Sequence, residues 1–295
     1  MYILQRANLQ GIGKMKRFKV VSCHFTTECN LNCPFCYRPK ESKQQKPFKF
    51  FKDMVPYLAE LTDQVALGGG EAFLFPKQVS QFAKECTKND IICNVTTNGT
   101  IALKKKYLKD LTLVSLSFDK FKCSNWSEVQ RYQRMVEHYK KYVNVGANLL
   151  IDPTMFYKKK TFLGIVASLF EFGVDRVFAL YPKNMDRVDI LQHTDSYKAL
   201  STMFEHFYID DLTLKILSEG KYNNWKAPCH YGKDIISINE VGEITGCSFD
   251  GPEKAIMNLE KPEDILEIKE KKMDERFSCP YLGNRNILEE IIHIK

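Results

Sequence analysis

The 295-residue chain contains no run approaching the roughly 18 apolar residues that a membrane span requires. Its opening residues, MYILQRANLQGIGKMKR, lack the long apolar core of a signal peptide. It also lacks internal repeats and low-complexity segments, which argues against a solenoid or a disordered linker protein. No long block of one charge sign is present. The net charge of +7, from 43 Lys and Arg against 36 Asp and Glu, is spread through short clusters such as Lys104–Lys106, Lys158–Lys160 and Lys271–Lys272. These read as solvated surface first and as attraction for an anionic ligand second. Neither a membrane nor a nucleic acid is expected as a partner, and the expected compartment is the cytoplasm.

What the chain does have is ten cysteines, unusual for its size. Without an export signal they are expected as reduced thiols or metal ligands rather than disulfides. Three of them, Cys29, Cys33 and Cys36, crowd into TTECNLNCPFCYRP, residues 26–39. A structural zinc site wants four ligands, usually from paired C-x2-C knuckles, and no fourth Cys or His follows in this loop. Three thiolates instead suit a cubane iron–sulfur cluster with one iron left open to another ligand.

Strand and helix signals alternate from residue 18 to about 220. Strands are predicted at 18–25, 64–71, 91–99, 112–119, 145–152 and 175–182. Helices are predicted at 48–61 (with Pro56 kinking it or marking a late start), 76–89, 101–109, 127–142, 161–173 and 196–208. The pattern predicts an α/β fold, a partial (β/α)6 TIM-like barrel with a parallel sheet. The cysteine loop, Gly68–Glu71, Thr97–Gly99 and Asp119 all fall at the C-terminal ends of strands, where such barrels keep their chemistry. From about 220 the pattern changes to a β-hairpin turning near Asn239–Gly242, then a helix at 262–277. The expected organisation is an extension at 1–17, the barrel at 18–220 and a small hairpin-plus-helix domain at 221–295.

Cys29-x3-Cys33-x2-Cys36, with Phe35 before the last cysteine and a βα series around it, resembles the radical S-adenosylmethionine (SAM) superfamily. The resemblance implies that the three cysteines hold a [4Fe–4S] cluster whose open iron chelates SAM. It further implies reductive cleavage of SAM to a 5′-deoxyadenosyl radical that abstracts hydrogen from a substrate. A low-potential electron donor such as a flavodoxin or ferredoxin would then be required. Gly68-Gly69-Gly70-Glu71 resembles the family's glycine–glycine–glutamate motif for the SAM amino group, with Ala72 where a proline is common. Ser117 and Asp119 share a strand face with Ser115 and are implied contacts to ribose and carboxylate. Asn148, on one face with Gly146 and Asp152, is expected to look into the barrel. Thr97 and Asn98 resemble the family's TNG turn, which can equally be structural. Phe35, Phe178 and Tyr181 are expected to flank adenine.

In the tail, Cys229, a hairpin within the next seventeen residues, Cys247, a helix and Cys279 are similar to a Twitch domain, the shortened SPASM form. This implies an auxiliary [4Fe–4S] cluster, although a full SPASM domain would carry more cysteines and Pro-Tyr-Leu follows Cys279 instead of a second nearby cysteine. Of the rest, Cys86 and Cys93 read as core, His24 as a packed histidine, and Cys123 as a candidate hydrogen donor to a substrate radical. The resemblance leaves two substrates open, a ribosomally made peptide (epimerised or crosslinked) or a small molecule such as an aminosugar or nucleotide. No leader-binding domain is expected before residue 18, so a peptide would be recognised by the barrel rim or a partner.

Overall fold

The computed structural model describes residues 16–38, 45–119, 121–151, 159–180, 203–209 and 231–273. The β-branched and aromatic runs form strands β1 (Val20–His24), β2 (Gln64–Gly68), β3 (Ile92–Thr97), β4 (Leu113–Phe118), β5 (Asn144–Leu150) and β6 (Arg176–Leu180). Between them run helices α1 (Phe48–Leu58), α2 (Pro76–Lys88), α3 (Trp126–Lys140) and α4 (Lys159–Glu171). Pro76 opens α2 at a position that needs no N–H, and the Asn125 side chain caps α3 by accepting from Glu128 N at 3.1 Å. Strands β1 to β6 pair in chain order and in parallel.

Side chains alternate across each strand, and this sorts the sheet into an oily face and a polar one. Val65, Leu67, Val95, Val114, Leu116, Val145 and Val177 are buried with Phe51, Met54, Phe82, Val136 and Leu169 of the helices. Each such side chain, once fully buried, stabilises the fold by about 1.5–3 kcal/mol. The opposite face carries Thr96, Ser115, Ser117 and Asn148, and Asn148 Nδ2 donates across the sheet to Thr96 Oγ1 at 3.2 Å. The α/β class and the parallel sheet agree with the sequence reading.

Local departures have local causes. Helix α1 starts at Phe48 and carries Pro56 in its last turn, so the proline does not delay the start. The helix expected at 101–109 shrinks to a 3₁₀ turn, Lys105–Tyr107. Helix α3 holds the preceding segment in place: Tyr139 Oη donates to Ile101 O, and His138 Nε2 lies 2.7 Å from Leu103 O. The end of the helix expected at 196–208 is instead β7 (Phe207–Ile209), parallel to β6. The helix expected at 262–277 is a 3₁₀ helix at Pro262–Lys269.

The tail hairpin forms as expected, with β8 (Ile235–Ile238) and β9 (Glu243–Thr245) antiparallel and β10 (Met257–Asn258) beyond. The sequence did not suggest that β8 also pairs in parallel with the free edge of β1, Val20↔Ile235 through Cys23↔Ile238. The described part of the tail therefore continues the barrel sheet, giving the order β10-β9-β8-β1-β2-β3-β4-β5-β6-β7.

Candidate functional site

The cysteine loop leaves the C-terminal end of β1. Cys29 and Cys36 are exposed and Cys33 is half-buried, and all three are free thiols. A turn closes over the second pair, with Cys36 N donating to Cys33 O at 3.1 Å, while Leu31 N donates to Cys29 Sγ at 3.4 Å. Burial pushes the Cys33 thiol up, the Lys122 ammonium pulls it down, and Asp119, Cys36 and Cys29 push it up again. Cys33 thus lies in the field of both other cysteines.

The glycine turn after β2 is pressed onto this loop. Gly70 N donates to Thr26 O at 2.8 Å and Glu71 N to Glu28 O at 2.7 Å. A Cβ on Gly69 would lie 2.4 Å from Thr26 O, and one on Gly70 2.0 Å from Glu28 O. Gly69 also adopts φ +136°, which side-chain-bearing residues rarely adopt. Gly69 and Gly70 are therefore required by contact with the cysteine loop itself.

Glu71 is buried and both of its carboxylate oxygens are engaged. Oε1 accepts from Phe73 N at 2.9 Å and from Thr97 Oγ1 at 2.8 Å, and Oε2 accepts from Asn98 N at 2.7 Å. Burial raises its pKa, opposed by the Asn98 and Phe73 amides, the Thr97 hydroxyl and the Lys122 charge. Asn98 in turn donates to Asn30 Oδ1 at 2.8 Å, lies 4.0 Å from Cys29 Sγ, and accepts from Thr100 N at 3.0 Å. In the structure, Glu71 and Asn98 knit the ends of β2 and β3 to the cysteine loop.

Across the sheet, the pairing register places Ser117 beside Asn148 and Asn148 beside Phe178. Phe178 stacks on Tyr208 of β7 at 5.4 Å between centroids. The three residues expected on SAM therefore share one row on the polar face. Within it, Asn148 Oδ1 is buried with no hydrogen-bond partner. Asp119, at the end of β4, is turned onto its own loop: Oδ1 accepts from Phe121 N at 3.0 Å and Lys122 N at 3.1 Å, and Oδ2 pairs with Lys122 Nζ. Phe35 packs on Phe121 at 5.5 Å, next to Cys36.

The remaining sequence candidates divide cleanly. Cys23, Cys86 and Cys93 are buried; burial raises the Cys23 thiol, and a hydrogen bond with Cys93 followed by burial raises Cys86. His24 is a packed histidine held neutral by burial and by the Arg38 charge, with Nε2 2.9 Å from Ser22 Oγ. The Cys123 thiol is pushed up to about 12, first by burial, and it lies in the field of Arg131 and Glu128 as well as Asp119. Cys123 itself is half-buried beside α3. Tyr181, Asp152, Cys229 and Cys279 lie outside the described residues.

Two site residues escaped the sequence reading. Lys122, which the sequence reading does not single out, is 8% exposed. Its spacing of three from Asp119 was the available signal. Arg38 forms a buried ion pair with Glu240 of the tail hairpin at 2.8 Å, beside Tyr37 stacked on Phe249 at 4.2 Å. No local pattern announces a contact across 202 positions.

The donor set fits the group that the sequence pattern implies. Three thiols stand on one strand-end loop, with an N–H donor on Cys29 Sγ and a glycine turn packed against the loop backbone. Among the described residues no three His, Cys, Asp or Glu side chains converge on a single ion. A cubane asks something different, one thiolate on each of three separate irons.

A parallel α/β sheet carries three cysteines on the loop after its first strand, with a glycine turn pressed against that loop. Residues 23–151 match the family described as the Radical SAM superfamily. Among solved structures, SuiB of Streptococcus suis is similar at 15% identity and TM-score 0.63, over 79% of this chain and 61% of that one. The chain thus spans less than two thirds of SuiB. A second similar structure is anSMEcpe with bound AdoMet and the Cp18Cys peptide, at 17% identity and TM-score 0.56, over 86% of this chain and 80% of that one. An uncharacterized protein of Methanocaldococcus jannaschii is 24% identical over 246 residues, 75% of this chain and 82% of that protein. Among the described residues no helix is long and apolar enough to cross a membrane.

Proposed function

We propose that Cys29, Cys33 and Cys36 hold a [4Fe–4S] cluster, that SAM binds across the strand ends, and that the chain modifies a peptide. The observation that carries this reading is the hydrogen-bonded union of the cysteine loop, the glycine turn and Asn98 at one end of the sheet. When bound, cluster and SAM together supply a 5′-deoxyadenosyl radical that takes hydrogen from the substrate. The chain's own residues do the holding. The Gly68–Gly70 backbone receives the methionine end of SAM. Ser117 and Asn148 offer hydrogen bonds to its polar groups, and Phe178 offers a ring face to adenine. Asp119 and Glu71 position, the first by setting the loop after β4 and the second by fixing the Thr97–Asn98 turn.

Two kinds of neighbour favour a peptide substrate. SuiB has been seen bound to the precursor peptide SuiA, at 14% identity and TM-score 0.63, and anSMEcpe with the Cp18Cys peptide. We further assign residues 221–295 as a Twitch-like module with an auxiliary cluster, supported by the β8–β9 hairpin lying between Cys229 and Cys247. A low-potential flavodoxin or ferredoxin would supply the electron.

The test is anaerobic reconstitution, then incubation with SAM, dithionite and panels of peptides, aminosugars and nucleotides. A peptide mass change matched by 5′-deoxyadenosine supports the reading. Turnover with a sugar or nucleotide alone replaces the peptide with a small molecule, and no 5′-deoxyadenosine under any condition removes the activity. Two clusters should bring about eight irons per chain, and about four would remove the auxiliary one.

A further inference from the structure

Lysine is among the residues least often fully buried, because its ammonium ion is costly to strip of water. Lys122 is nevertheless 8% exposed, on a loop that leaves Phe121 at 44% and Trp126 at 70%. Its ion-pair partner, Asp119, is 3% exposed and already accepts two backbone N–H bonds from the turn it caps. The turn alone would satisfy much of that carboxylate, so the pair does not explain why a cation is held inside. The second partner does. Lys122 Nζ sits 5.0 Å from the centroid of Phe35, the residue before Cys36, and Phe121 packs on the same ring. The ammonium ion therefore links the cysteine loop to the end of β4 by a cation–π contact on one side and an ion pair on the other.

Through Phe35, the residue before Cys36, the ammonium ion faces the cysteine loop, and through Asp119 it faces the end of β4. Three thiolates and the carboxylate of SAM would bring negative charge to a region that already holds Glu71 and Asp119. The other buried cation near the loop, Arg38, is matched by Glu240. Among the described residues, Lys122 is the buried lysine whose ammonium ion faces a ring of the cysteine loop.

We infer that Lys122 is a positioning residue for the cluster and SAM site, fixing Phe35 over the end of β4 and lending positive charge to the cysteine loop. This rests on the radical SAM reading above. A nearby cation favours the more negative, reduced form of a cluster and the binding of a carboxylate.

The reconstituted full chain tests it, with K122M keeping the length but not the charge and K122R keeping the charge. Iron content, SAM affinity by equilibrium binding, and the midpoint potential of the cluster whose EPR signal changes on adding SAM are measured. K122M is expected to hold wild-type iron, bind SAM about tenfold more weakly, the effect of losing one charge-assisted contact, and shift the midpoint to a more negative potential. K122R should recover most of both. If K122M does not fold, F35L, which removes the ring but leaves the ion pair, should move both readouts the same way by less. Unchanged affinity and midpoint in K122M, or in F35L where that variant stands in, overturn the inference while leaving the SAM site intact. A wild-type chain whose cluster does not respond to SAM overturns the underlying reading instead.

Discussion

The rim around β2 and β3 and the polar face of β4 to β6 handle their polar groups in opposite ways. At β2 and β3 the groups are consumed by the chain: Glu71 accepts three hydrogen bonds, and Asn98 serves the cysteine loop and its own turn. On the other side, Asn148 makes one bond to Thr96 and leaves its buried oxygen without a partner. A buried acceptor left open costs about 1–3 kcal/mol unless something fills it. The first region is built as a mount. The second keeps capacity for a guest.

This contrast can be broken at several points. The largest effect is expected from changing Cys29, Cys33 and Cys36 together to Ala, which should abolish 5′-deoxyadenosine formation while thermal unfolding changes little. Undiminished product would show that neither region is a SAM site. Next is Glu71→Ala, which strips three bonds from the mount and should destabilise the fold by about 3 kcal/mol by denaturant titration. Loss of under about 0.5 kcal/mol would mean that the turn holds itself without the carboxylate.

The same residue gives a pH signature. Burial raises the folded carboxyl above its unfolded value, so the folded chain binds more protons through the carboxylate range. Glu71's contribution is fully present below the unfolded value near 4.5 and is lost as pH rises through the folded one. Wild-type stability should therefore fall relative to Glu71→Gln as pH rises across that window, and parallel curves would contradict the burial argument. The smallest effect on the fold belongs to the guest side. Ser117→Ala and Asn148→Ala should each weaken SAM binding by about five- to tenfold, with stability changed by under about 1 kcal/mol. Asn148→Ala destabilising as much as Glu71→Ala would erase the distinction between the regions.

Most of the sheet was legible because its signals are local. Alternating apolar residues announced β1 to β6, and Pro76 announced the start of α2. The register row Ser117, Asn148, Phe178 followed in part from strand parity, which put Ser117 and Asn148 on interior faces before any pairing was known. What could not be read depends on distant residues. Strand β8 lies beside β1 because of an edge left open 200 residues earlier, and 101–104 is held by Tyr139 and His138. The motif places Glu71 at the SAM amino group, but it could not show that the same carboxylate also holds the Thr97–Asn98 turn. Lys122 was not singled out because composition cannot show that Phe35 and Asp119 would enclose it.

The Arg38–Glu240 pair carries a consequence for the order of events during synthesis. Cys36 is made early, but the arginine two residues on finds its partner 202 positions later, and β1 keeps a bare edge until β8 exists. At about 5–20 residues per second, that interval is roughly 10–40 s. During it the cysteine loop is anchored at one end only, by the glycine turn. Iron delivered to a nascent chain would meet a half-tethered loop, whereas iron delivered after release would meet one fastened on both sides. The tail hairpin thus supplies the second fastening of the cysteine loop only after β1 to β7 have been made.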